Sequence, residues 1–397
     1  MEAIDVSMDS GILGDDIGPE MVMHWYSADA NCRGVVVLDT MSLGRAAGGT
    51  RMLTDITTAE MIALARAMTY KSVTLGRTGG GAKAGIWANP SMDVAQREAV
   101  MRAYGKAIRP LVQANKFSAG ADMGTFHKDL LWVEEESGQS VPMSKFWLED
   151  KDGEALDYHF TGFGVAVCAQ AACEFRGIDF RDATVAMEGF GKVGSGLARY
   201  AAADGAKLVA VSTLSGAIFK PTGLDTEKLL RLRREHGDDL VHHYDDAETI
   251  DPAKLFSLPV DILVPGGRPW VIHDGNVDNV SAKIISSGAN VPITASAEEK
   301  LHHAGVTIVP DFIANSAGAL STHLGRVEVS IDQAFPTIRS ILQTRVSELL
   351  RTANADGLIP SHLAMRRVHE TVKRWKENGP PVEKEYYDGL RKAAAAA

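Results

Sequence analysis

Residues 184–194 read Thr-Val-Ala-Met-Glu-Gly-Phe-Gly-Lys-Val-Gly, and this stretch decides the fold of the second half of the chain. The run Thr184–Glu188 is largely apolar, which predicts a buried strand, and residues 195–203 have a helical pattern. Between them, a Gly-x-Gly-x-x-Gly turn permits close approach of a pyrophosphate and anion binding at a helix N-terminus. The alternative is a glycine turn that serves packing alone. The predicted cofactor-binding residues of the turn are Gly189, Gly191, Lys192, Val193 and Gly194.

Short apolar strands alternate with helical or irregular segments from about residue 161 onward. This alternation is typical of a parallel, doubly wound sheet. Beyond about residue 336 the pattern becomes helical. The predicted strands are Thr184–Glu188, Lys207–Ser212, Asp261–Pro265, Lys283–Ser286 and Thr307–Pro310.

The first part of the chain predicts a separate α/β domain. Gly34–Asp39 contains a β-branched run suited to a buried strand, and Thr57 and Glu60 have capping-box spacing at the start of a helix that reaches about Lys71. Residues 92–115 are alanine-rich and predict a second helix. Residues 137–158, with glycines, a proline and many charges, predict a connection between domains.

The predicted fold class is therefore α/β with two domains. Residues 1–158 are predicted to form an N-terminal α/β domain, and residues 159–336 a Rossmann-type, doubly wound dinucleotide-binding domain. Residues 337–397 are predicted to be C-terminal helices that pack back toward the first domain.

Composition and charge narrow the class of protein. A net charge of -10 without a long basic run argues against nucleic acid or an anionic membrane as the main partner. The three cysteines lack Cys-x-x-Cys spacing, which predicts reduced thiols, and the acidic start resembles no targeting peptide. No apolar run is long enough to span a membrane, so we expect a cytoplasmic protein. The paired histidines, His242-His243 and His302-His303, lack a third ligand at metal spacing, so no metal site is predicted.

Two lysines, Lys71 and Lys83, stand twelve residues apart around the glycine triplet 79–81. Lys71 follows Met61, Leu64 and Met68 on the apolar face of the predicted helix, where a charge is costly without a partner. A lysine desolvated among glycines and near another cation has a lowered pKa and can act as a general base, which is the chemistry expected of Lys83. The alternatives are a snorkelling lysine at a helix end for Lys71 and a loop lysine for Lys83.

Eight blocks carry a family resemblance through their order and spacing. They are residues 48–52 (GGTRM), 68–71 (MTYK), 80–83 (GGAK), 122–125 (DMGT), 161–164 (TGFG), the Gly189 turn, 288–290 (GAN) and 310–315 (PDFIAN). With them the chain resembles the glutamate/leucine/phenylalanine/valine dehydrogenase family from about residue 22 to 330. The resemblance implies a substrate-binding and catalytic domain before the nucleotide domain, a cleft between them that closes on substrate, and a homo-oligomer. It also implies NAD(P)-dependent reversible oxidative deamination of an L-amino acid to the 2-oxo acid and ammonia.

The resemblance also assigns roles. Lys71 resembles the lysine that pairs with the substrate carboxylate, helped by Asn315 and by the backbone of Gly49. Lys83 resembles the catalytic lysine, and Asp122 the proton-shuttling carboxylate that faces the substrate amine. Taken alone, Asp122 and Asn315 equally fit turn residues, and Asp122 a helix N-cap. Positions expected near the cofactor are Thr161 and Asn290 at the nicotinamide, and Ser212 and Thr213 at the adenosine ribose.

The choice between NAD and NADP stays open. An acidic residue is expected about 20 residues after the glycine turn to bind the ribose 2′-hydroxyl, but residues 211–215 read Val-Ser-Thr-Leu-Ser. Two further departures from the family pattern bear on the cofactor. Glu188 stands where glutamine is usual, and Pro265-Gly266-Gly267 replaces a common Pro-Ala-Ala.

Substrate size is inferred from three small residues. The glutamate enzymes have a lysine where this chain has Ala47, so a glutamate side chain would lose its counter-charge. The branched-chain enzymes resemble a pattern with larger residues at Ala47, Gly120 and Ala319, so the pocket here is predicted to take Phe, Tyr or Trp, with Thr322 as a polar contact. The alternatives are a branched-chain or specialised amino acid, and a regulatory relative that binds cofactor without chemistry.

Overall fold

The computed structural model describes residues 14–140 and 157–397. The chain divides into two compact units, and it crosses between them three times. Unit 1 comprises Met1–Pro142 and Val368–Glu383, and unit 2 comprises Met143–Arg367 and Lys384–Ala397. Each unit has its own sheet and its own core.

Unit 1 is built on a five-stranded sheet with the order β1-β2-β4-β3-β5. The strand β2 is antiparallel to β1 and β4, whereas β3 lies parallel between β4 and β5. Its elements up to residue 140 are β1 (Met21–Ser27), β2 (Cys32–Leu38), β3 (Ala46–Leu53), α1 (Thr58–Thr74), β4 (Ala82–Trp87), α2 (Val94–Gln113), β5 (Phe117–Ala121) and α3 (His127–Ser137).

The two faces of the central strands are chemically different. On one face, alternate residues of β3, β4 and β5 pack with α2 and α3 in an apolar core that includes Met52, Ala84 and Phe117. The other face carries Arg51 and Lys83, because side chains alternate along a strand. Helix α1 lies on this second face, where a Cβ added to Gly81 would come within 2.2 Å of the Thr69 nitrogen. The charged side chains of the central strands therefore lie on the second face of the sheet.

A C-terminal segment completes unit 1. Helix α12 (Pro360–Asn378) enters unit 1 at Val368 and buries Val372 and Trp375 against Ile17, Leu43 and Val73. Its His369 hydrogen-bonds Tyr70 Oη of α1 through Nε2, at 3.1 Å.

Unit 2 is built on a seven-stranded sheet with the order β12-β11-β10-β6-β7-β8-β9. The five strands from β12 to β7 are parallel, and β8 and β9 add an antiparallel edge. The strands are β6 (Thr184–Glu188), β7 (Lys207–Thr213), β8 (Gly216–Phe219), β9 (Glu248–Ile250), β10 (Ile262–Pro265), β11 (Ile284–Ser286) and β12 (Thr307–Val309). The helices are α4 (Asp157–Arg176), α5 (Lys192–Ala203), α6 (Thr226–His236), α7 (Leu240–His243), α8 (Ala295–His303), α9 (Asp311–Ala314), α10 (Ala317–Arg326), α11 (Ile331–Asp356) and α13 (Glu383–Ala396), with α12 shared.

The predicted two-domain α/β fold is confirmed, and all five predicted strands of the doubly wound sheet are present. The chain order reverses at β6, since β7 lies on one side of it and β10 on the other. Such a switch point creates a crevice at the carboxyl ends of the strands, where ligands bind in this class of sheet.

The C-terminal helices depart from the predicted boundaries. Helix α11 begins at Ile331, so the predicted boundary between residues 336 and 337 lies inside a helix. Ser330 and Gln333 form a capping box there, which starts the helix before Pro336. Of the predicted returning segment 337–397, residues 368–383 belong to unit 1 and the remainder to unit 2. Most of the predicted connection at 137–158 lies outside the described residues.

Within the described ranges, no helix combines the length and the apolar content needed to cross a bilayer.

Candidate active site

The centre of unit 1 holds three charged side chains, of which Lys83 and Arg51 are buried and Asp122 is half-buried. Lys83 Nζ lies 2.6 Å from Asp122 Oδ2, and Arg51 Nε lies 3.0 Å from the same oxygen. Arg51 also binds Glu60 of α1, through Nη1. Lys83 is 3% exposed, so its ammonium group reaches little water.

The strand register explains how these residues meet. Thr50 of β3 is paired with Ala84 of β4 on one side and with Ala121 of β5 on the other. One step further along, Arg51 and Asp122 follow on neighbouring strands, and Lys83 shares their face of the sheet. The backbone of Asp122 also forms a turn with Thr125, accepting its N–H at 3.0 Å. Asp122 is therefore a turn residue and an ion-pair partner at once.

The pKa shifts of the pair follow from burial and charge. Burial lowers the pKa of Lys83 below its usual range, Asp122 opposes this, and the positive charge of Arg51 adds to the lowering. Burial alone would raise the pKa of Asp122, but the charges and hydrogen bonds of Lys83 and Arg51 outweigh it, so the pKa of this carboxyl is lowered. The site thus joins an ionised carboxylate to an amine that gives up its proton more readily than a free lysine.

Lys71 lies near the end of α1 and is 7% exposed. A buried network joins its helix to the strand of Lys83. Asp39 Oδ2 accepts a 2.5 Å hydrogen bond from Thr69 Oγ1, which in turn accepts the N–H of Gly81 at 2.9 Å. Since Thr69 and Gly81 each precede a lysine by two residues, the network fixes the two lysine-bearing elements against each other.

Small residues line the part of this face that β3 and β5 provide. Ala47 is paired with Ser118, and Gly49 with Gly120. A Cβ at Gly49 would come within 2.8 Å of the Asp122 Cβ, so a glycine is needed there. A Cβ at Gly120 would make only ordinary contacts, the nearest at 3.6 Å. The fold therefore does not require glycine at position 120, and its small size leaves space on this face.

In unit 2, the predicted glycine turn joins β6 to α5. Gly189 has a φ of +84°, which favours glycine, and its N–H donates to Ser212 Oγ at 3.2 Å. A Cβ at Gly191, the N-cap of α5, would meet nothing within 4 Å. An open N-terminus of a twelve-residue helix at the switch point fits the pyrophosphate of a dinucleotide.

Two departures from the family pattern are in contact. Glu188 Oε2 accepts the N–H groups of Gly266 and Gly267 at 2.9 and 2.8 Å. A Cβ at Gly267 would come within 2.3 Å of Glu188 Oε1, so an alanine there would displace this carboxylate from its present position. Burial raises the pKa of Glu188, although the two N–H donors oppose the rise.

The end of β7 is polar. Thr213 Oγ1 donates to the carbonyl of Asp238 at 2.6 Å, and Ser215 Oγ donates to Asp239 Oδ1 at 2.7 Å. The residues that directly follow β7 are not acidic, but the fold brings the acidic residues 238–239 to the end of this strand.

The remaining predicted residues of unit 2 lie on α4, on α10 and on loops at the carboxyl edge of the sheet. Asn315 Nδ2 donates to Asn290 Oδ1 and to the carbonyl of Ala289, both at 3.0 Å. Thr161 of α4 lies against Gly318 of α10, and Ala319 and Thr322 follow on the same helix, where the Thr322 hydroxyl donates to the carbonyl of Gly318.

Neither histidine pair forms a cluster with metal-ligand spacing. Among residues 14–140 and 157–397, the one such group is Asp15, Asp16 and His369, which is largely exposed. It is already joined by a 3.1 Å contact between His369 Nδ1 and Asp16 Oδ1.

Sequence reasoning missed Arg51, Glu60 and the Asp39–Thr69 pair. Arg51 stands two residues after Gly49, and this spacing places both on one strand face. No nearby residue in the sequence indicated the role of Asp39, because its hydrogen-bond partners come from helix α1.

Comparison with known proteins covers residues 22–139 and 153–371. The family model described as Glutamate/Leucine/Phenylalanine/Valine dehydrogenase matches residues 153–371, and the model described as Glu/Leu/Phe/Val dehydrogenase, dimerisation domain, matches residues 22–139. The chain belongs to this dehydrogenase family. The resemblance inferred from the sequence blocks is thereby confirmed at the level of the family, and the chain is an amino acid dehydrogenase.

Among similar proteins of this family, a glutamate dehydrogenase of Aeropyrum pernix is 36% identical over 291 residues, covering 71% of this chain and 69% of the relative. A glutamate dehydrogenase of Thermotoga maritima is 33% identical over 302 residues, covering 74% and 72%. The names of these relatives do not support the preference for aromatic amino acids that the small residues of the substrate site predict.

Two solved structures share the fold. A hetero-hexameric glutamate dehydrogenase from Thermus thermophilus aligns with a TM-score of 0.76 at 24% identity, covering 89% of each chain. An L-tryptophan dehydrogenase from Nostoc punctiforme aligns with a TM-score of 0.60 at 22% identity, covering 95% of this chain and 98% of the other. The predicted homo-oligomer and cytoplasmic location stay predictions.

Proposed function

We propose that this dehydrogenase oxidatively deaminates a large apolar L-amino acid, reversibly, to the 2-oxo acid and ammonia. The ion pair of buried Lys83 with half-buried Asp122 carries the proposal, because it joins an amine of lowered pKa to a carboxylate within hydrogen-bond distance. A protein that only bound cofactor would have no need of this proton-transfer pair. The cofactor is NAD or NADP.

The glycine turn, with open space at Gly191, fits this cofactor, and Gly189, Gly191, Lys192, Val193 and Gly194 would hold its pyrophosphate. Thr161 and Asn290 would lie toward the nicotinamide, and Ser212 and Thr213 toward the adenosine ribose. When bound, the oxidised nicotinamide supplies the acceptor for the hydride that leaves the substrate Cα.

The residues of unit 1 would perform the proton chemistry. Lys71 binds the substrate carboxylate together with the backbone N–H of Gly49. Asp122 takes a proton from the substrate amine. After the hydride has left, neutral Lys83 takes a proton from the water that attacks the iminium carbon. Protonated Asp122 then returns its proton to the nitrogen of the carbinolamine, and ammonia leaves as the hydroxyl proton passes to the Asp122 carboxylate. The products are one 2-oxo acid, one ammonia and one reduced cofactor.

The substrate class is inferred from size and charge. Ala47 and Gly120 leave space beside Gly49, and Ala319 and Thr322 are half-buried on α10. A side-chain carboxylate would find no lysine at position 47, and an unpaired buried carboxylate is heavily penalised. Phe, Tyr and Trp therefore fit better than glutamate.

A second candidate is glutamate itself. The curated relatives at 33–36% identity are named glutamate dehydrogenases, which favours the same substrate here. Under this alternative, the side-chain carboxylate must find a cation other than one at position 47.

A steady-state panel tests both candidates. Each common L-amino acid is assayed with NAD and with NADP by the absorbance of the reduced nicotinamide, and in reverse with 2-oxo acids and ammonium. Turnover of Phe, Tyr or Trp at least tenfold above that of glutamate is expected, and the opposite order selects glutamate.

The same panel includes Lys83→Met, which fills similar volume without a titratable group. We expect it to retain the fold and lose most turnover, on the order of a thousandfold, since general base catalysis typically contributes about 10²–10⁴-fold. Lys207→Met, at an exposed lysine paired with Asp182, is the matched control and should keep full activity. Unchanged turnover in Lys83→Met would contradict the proposed mechanism.

A further inference from the structure

The carboxyl end of β7 has no acidic residue of its own. The strand ends at Thr213, and Leu214, Ser215 and Gly216 follow it. In dinucleotide-binding sheets of this class, an acidic side chain near the end of the second strand binds the 2′-hydroxyl of the adenosine ribose, whereas an arginine nearby accommodates a 2′-phosphate. Residues 213–216 supply neither group.

A carboxylate reaches this strand end from another segment. Asp239 lies between α6 and α7, and its Oδ1 accepts a hydrogen bond from Ser215 Oγ at 2.7 Å. The carbonyl of the preceding residue, Asp238, accepts a 2.6 Å hydrogen bond from Thr213 Oγ1. These two hydrogen bonds join residues 238–239 to the end of β7.

The side chain of Asp239 does not serve its own helix. Asp239 is the N-cap residue of α7, a position where an aspartate usually accepts a backbone N–H of the first turn. No such capping hydrogen bond is formed here, and the carboxylate binds Ser215 instead. Asp239 is also exposed, so a ligand at the end of β7 can approach it. The neighbouring Asp238 differs, because its carboxylate is paired with Arg233.

The end of β7 is connected to the glycine turn. Ser212 Oγ accepts the N–H of Gly189 at 3.2 Å, and Thr213 is the next residue of the strand. When the pyrophosphate of a dinucleotide binds at such a glycine turn, the adenosine ribose lies at the carboxyl end of the second strand. The carboxylate of Asp239 is therefore held at the edge of the sheet where the ribose 2′-position is expected.

We infer that Asp239 makes this dehydrogenase selective for NAD over NADP, because it accepts a hydrogen bond from the adenosine 2′-hydroxyl and repels a 2′-phosphate. Ser215 is a positioning residue, since its hydroxyl holds this carboxylate at the end of β7. The inference rests on the dinucleotide site of the proposed function and not on the amino acid. If wild type turns over no amino acid, the proposed function fails, while the binding comparison still decides the inference.

Equilibrium binding of the reduced cofactors tests Asp239 without turnover. NADH and NADPH are each titrated into the full chain, and binding is followed by the fluorescence of the reduced nicotinamide. We expect wild type to bind NADH at least roughly tenfold more tightly than NADPH, because like charges in contact oppose binding. Asp239→Ala should bring the two dissociation constants to within about threefold of each other, mainly through tighter binding of NADPH.

A third cofactor separates the hydrogen bond from the charge. NADH that lacks the adenosine 2′-hydroxyl should bind wild type about 3- to 10-fold more weakly than NADH does, and Asp239→Ala should not distinguish the two. Asp239→Asn keeps an oxygen acceptor and loses the charge. It should therefore keep the preference for the 2′-hydroxyl and lose most of the discrimination against NADPH.

Two variants of Ser215 test its positioning role. Ser215→Ala removes the hydrogen bond to Asp239 and should lower the preference for NADH over NADPH. Ser215→Thr retains the hydroxyl and should restore this preference. A general defect in folding would instead weaken the binding of both cofactors equally.

Asp246→Ala is the matched control. Asp246 is an exposed aspartate paired with Lys220, which follows β8 at the opposite edge of the sheet because β8 is antiparallel to β7. This variant loses the same charge and should keep the wild-type ratio of affinities.

Four results would overturn the inference. They are tighter binding of NADPH than of NADH by wild type, a preference for NADH that Asp239→Ala leaves intact, an equal change of the ratio in Asp246→Ala, and binding of neither cofactor.

Discussion

At the scale of single residues, the reactivity of Lys83 is set by opposing charges. Burial lowers its pKa most, Asp122 counters this, and Arg51 lowers the pKa further while Glu60 raises it slightly. Arg51 touches the same carboxylate oxygen as Lys83, so it weakens the hold of Asp122 on the lysine proton. The cation Arg51 thus adjusts the pKa of the proposed base, Lys83.

This electrostatic balance predicts a shift in pH dependence. Neutral Lys83 is the active form, so kcat/KM should rise as pH passes upward through the pKa of Lys83. The double variant Arg51→Met/Glu60→Gln removes two influences on the pKa of Lys83, namely the larger lowering by Arg51 and the smaller raising by Glu60. The pKa of Lys83 should therefore rise, and the acidic limb of the pH profile should move to higher pH. A pH profile of kcat/KM measures the limb. Glu60→Gln alone should move it the opposite way, and a double variant with an unmoved limb would refute this balance.

Pocket size can be tested at Gly120. A Cβ there meets only ordinary contacts, so Gly120→Ala should fold as wild type does and narrow the space beside Gly49. We expect kcat/KM to fall for the largest accepted side chain and to rise or hold for Leu and Val, a change of about 10-fold in the ratio. Gly49→Ala is the contrasting variant, because its Cβ overlaps Asp122 and should reduce activity on every substrate. Equal effects of Gly120→Ala on all substrates would remove position 120 from the specificity determinants.

At the scale of elements, hydrogen bonding between α1 and β4 sets the spacing of the two lysines. Asp39 is fully buried, and burial raises its pKa although Arg66 and Thr69 oppose the rise. Arg66 Nε binds both carboxylate oxygens, at 3.0 and 2.9 Å, so Asp39 is satisfied by partners from one helix.

Thr69→Val tests this connection. The change keeps the shape, leaves the Gly81 N–H without a partner and leaves Asp39 Oδ2 with Arg66 alone, so we expect a loss of about 1–3 kcal/mol in the free energy of unfolding. It should also raise the KM for the amino acid more than it lowers kcat. Denaturant titration and steady-state kinetics measure these effects. Thr69→Ser retains the hydroxyl and should restore both, whereas a serine variant as impaired as the valine would point to lost packing.

The sequence predicts some elements correctly and misses others, and the reasons are physical. Strand β6 matches its prediction to the residue, since a strand buried in a parallel sheet is a continuous apolar run bounded by turns. Strand β5, Phe-Ser-Ala-Gly-Ala, has little β-branching and was missed, because its small residues reflect the space beside Gly49. The sequence also did not predict the contact of Glu188 with Gly266 and Gly267, since 78 residues separate Glu188 from Gly266.

At the scale of the whole molecule, the chain does not give each unit one continuous segment. Residues 368–383 return to unit 1, and residues 384–397 return to unit 2. The stability of unit 1 therefore depends on residues that are distant in sequence, through the cluster of Trp375 and Val372 with Ile17, Leu43 and Val73.

Removing this contact should weaken one unit selectively. Trp375→Ala truncates a buried side chain, which typically costs about 3–5 kcal/mol, and the loss falls on unit 1. We expect amide hydrogen exchange to accelerate in α1 and in residues 14–20, while β6 and α5 keep their protection. Lys373→Ala, at an exposed position of the same helix, should change neither. Equal acceleration in both units would instead show that they unfold as one cooperative body, in which the returning segment stabilises the entire chain.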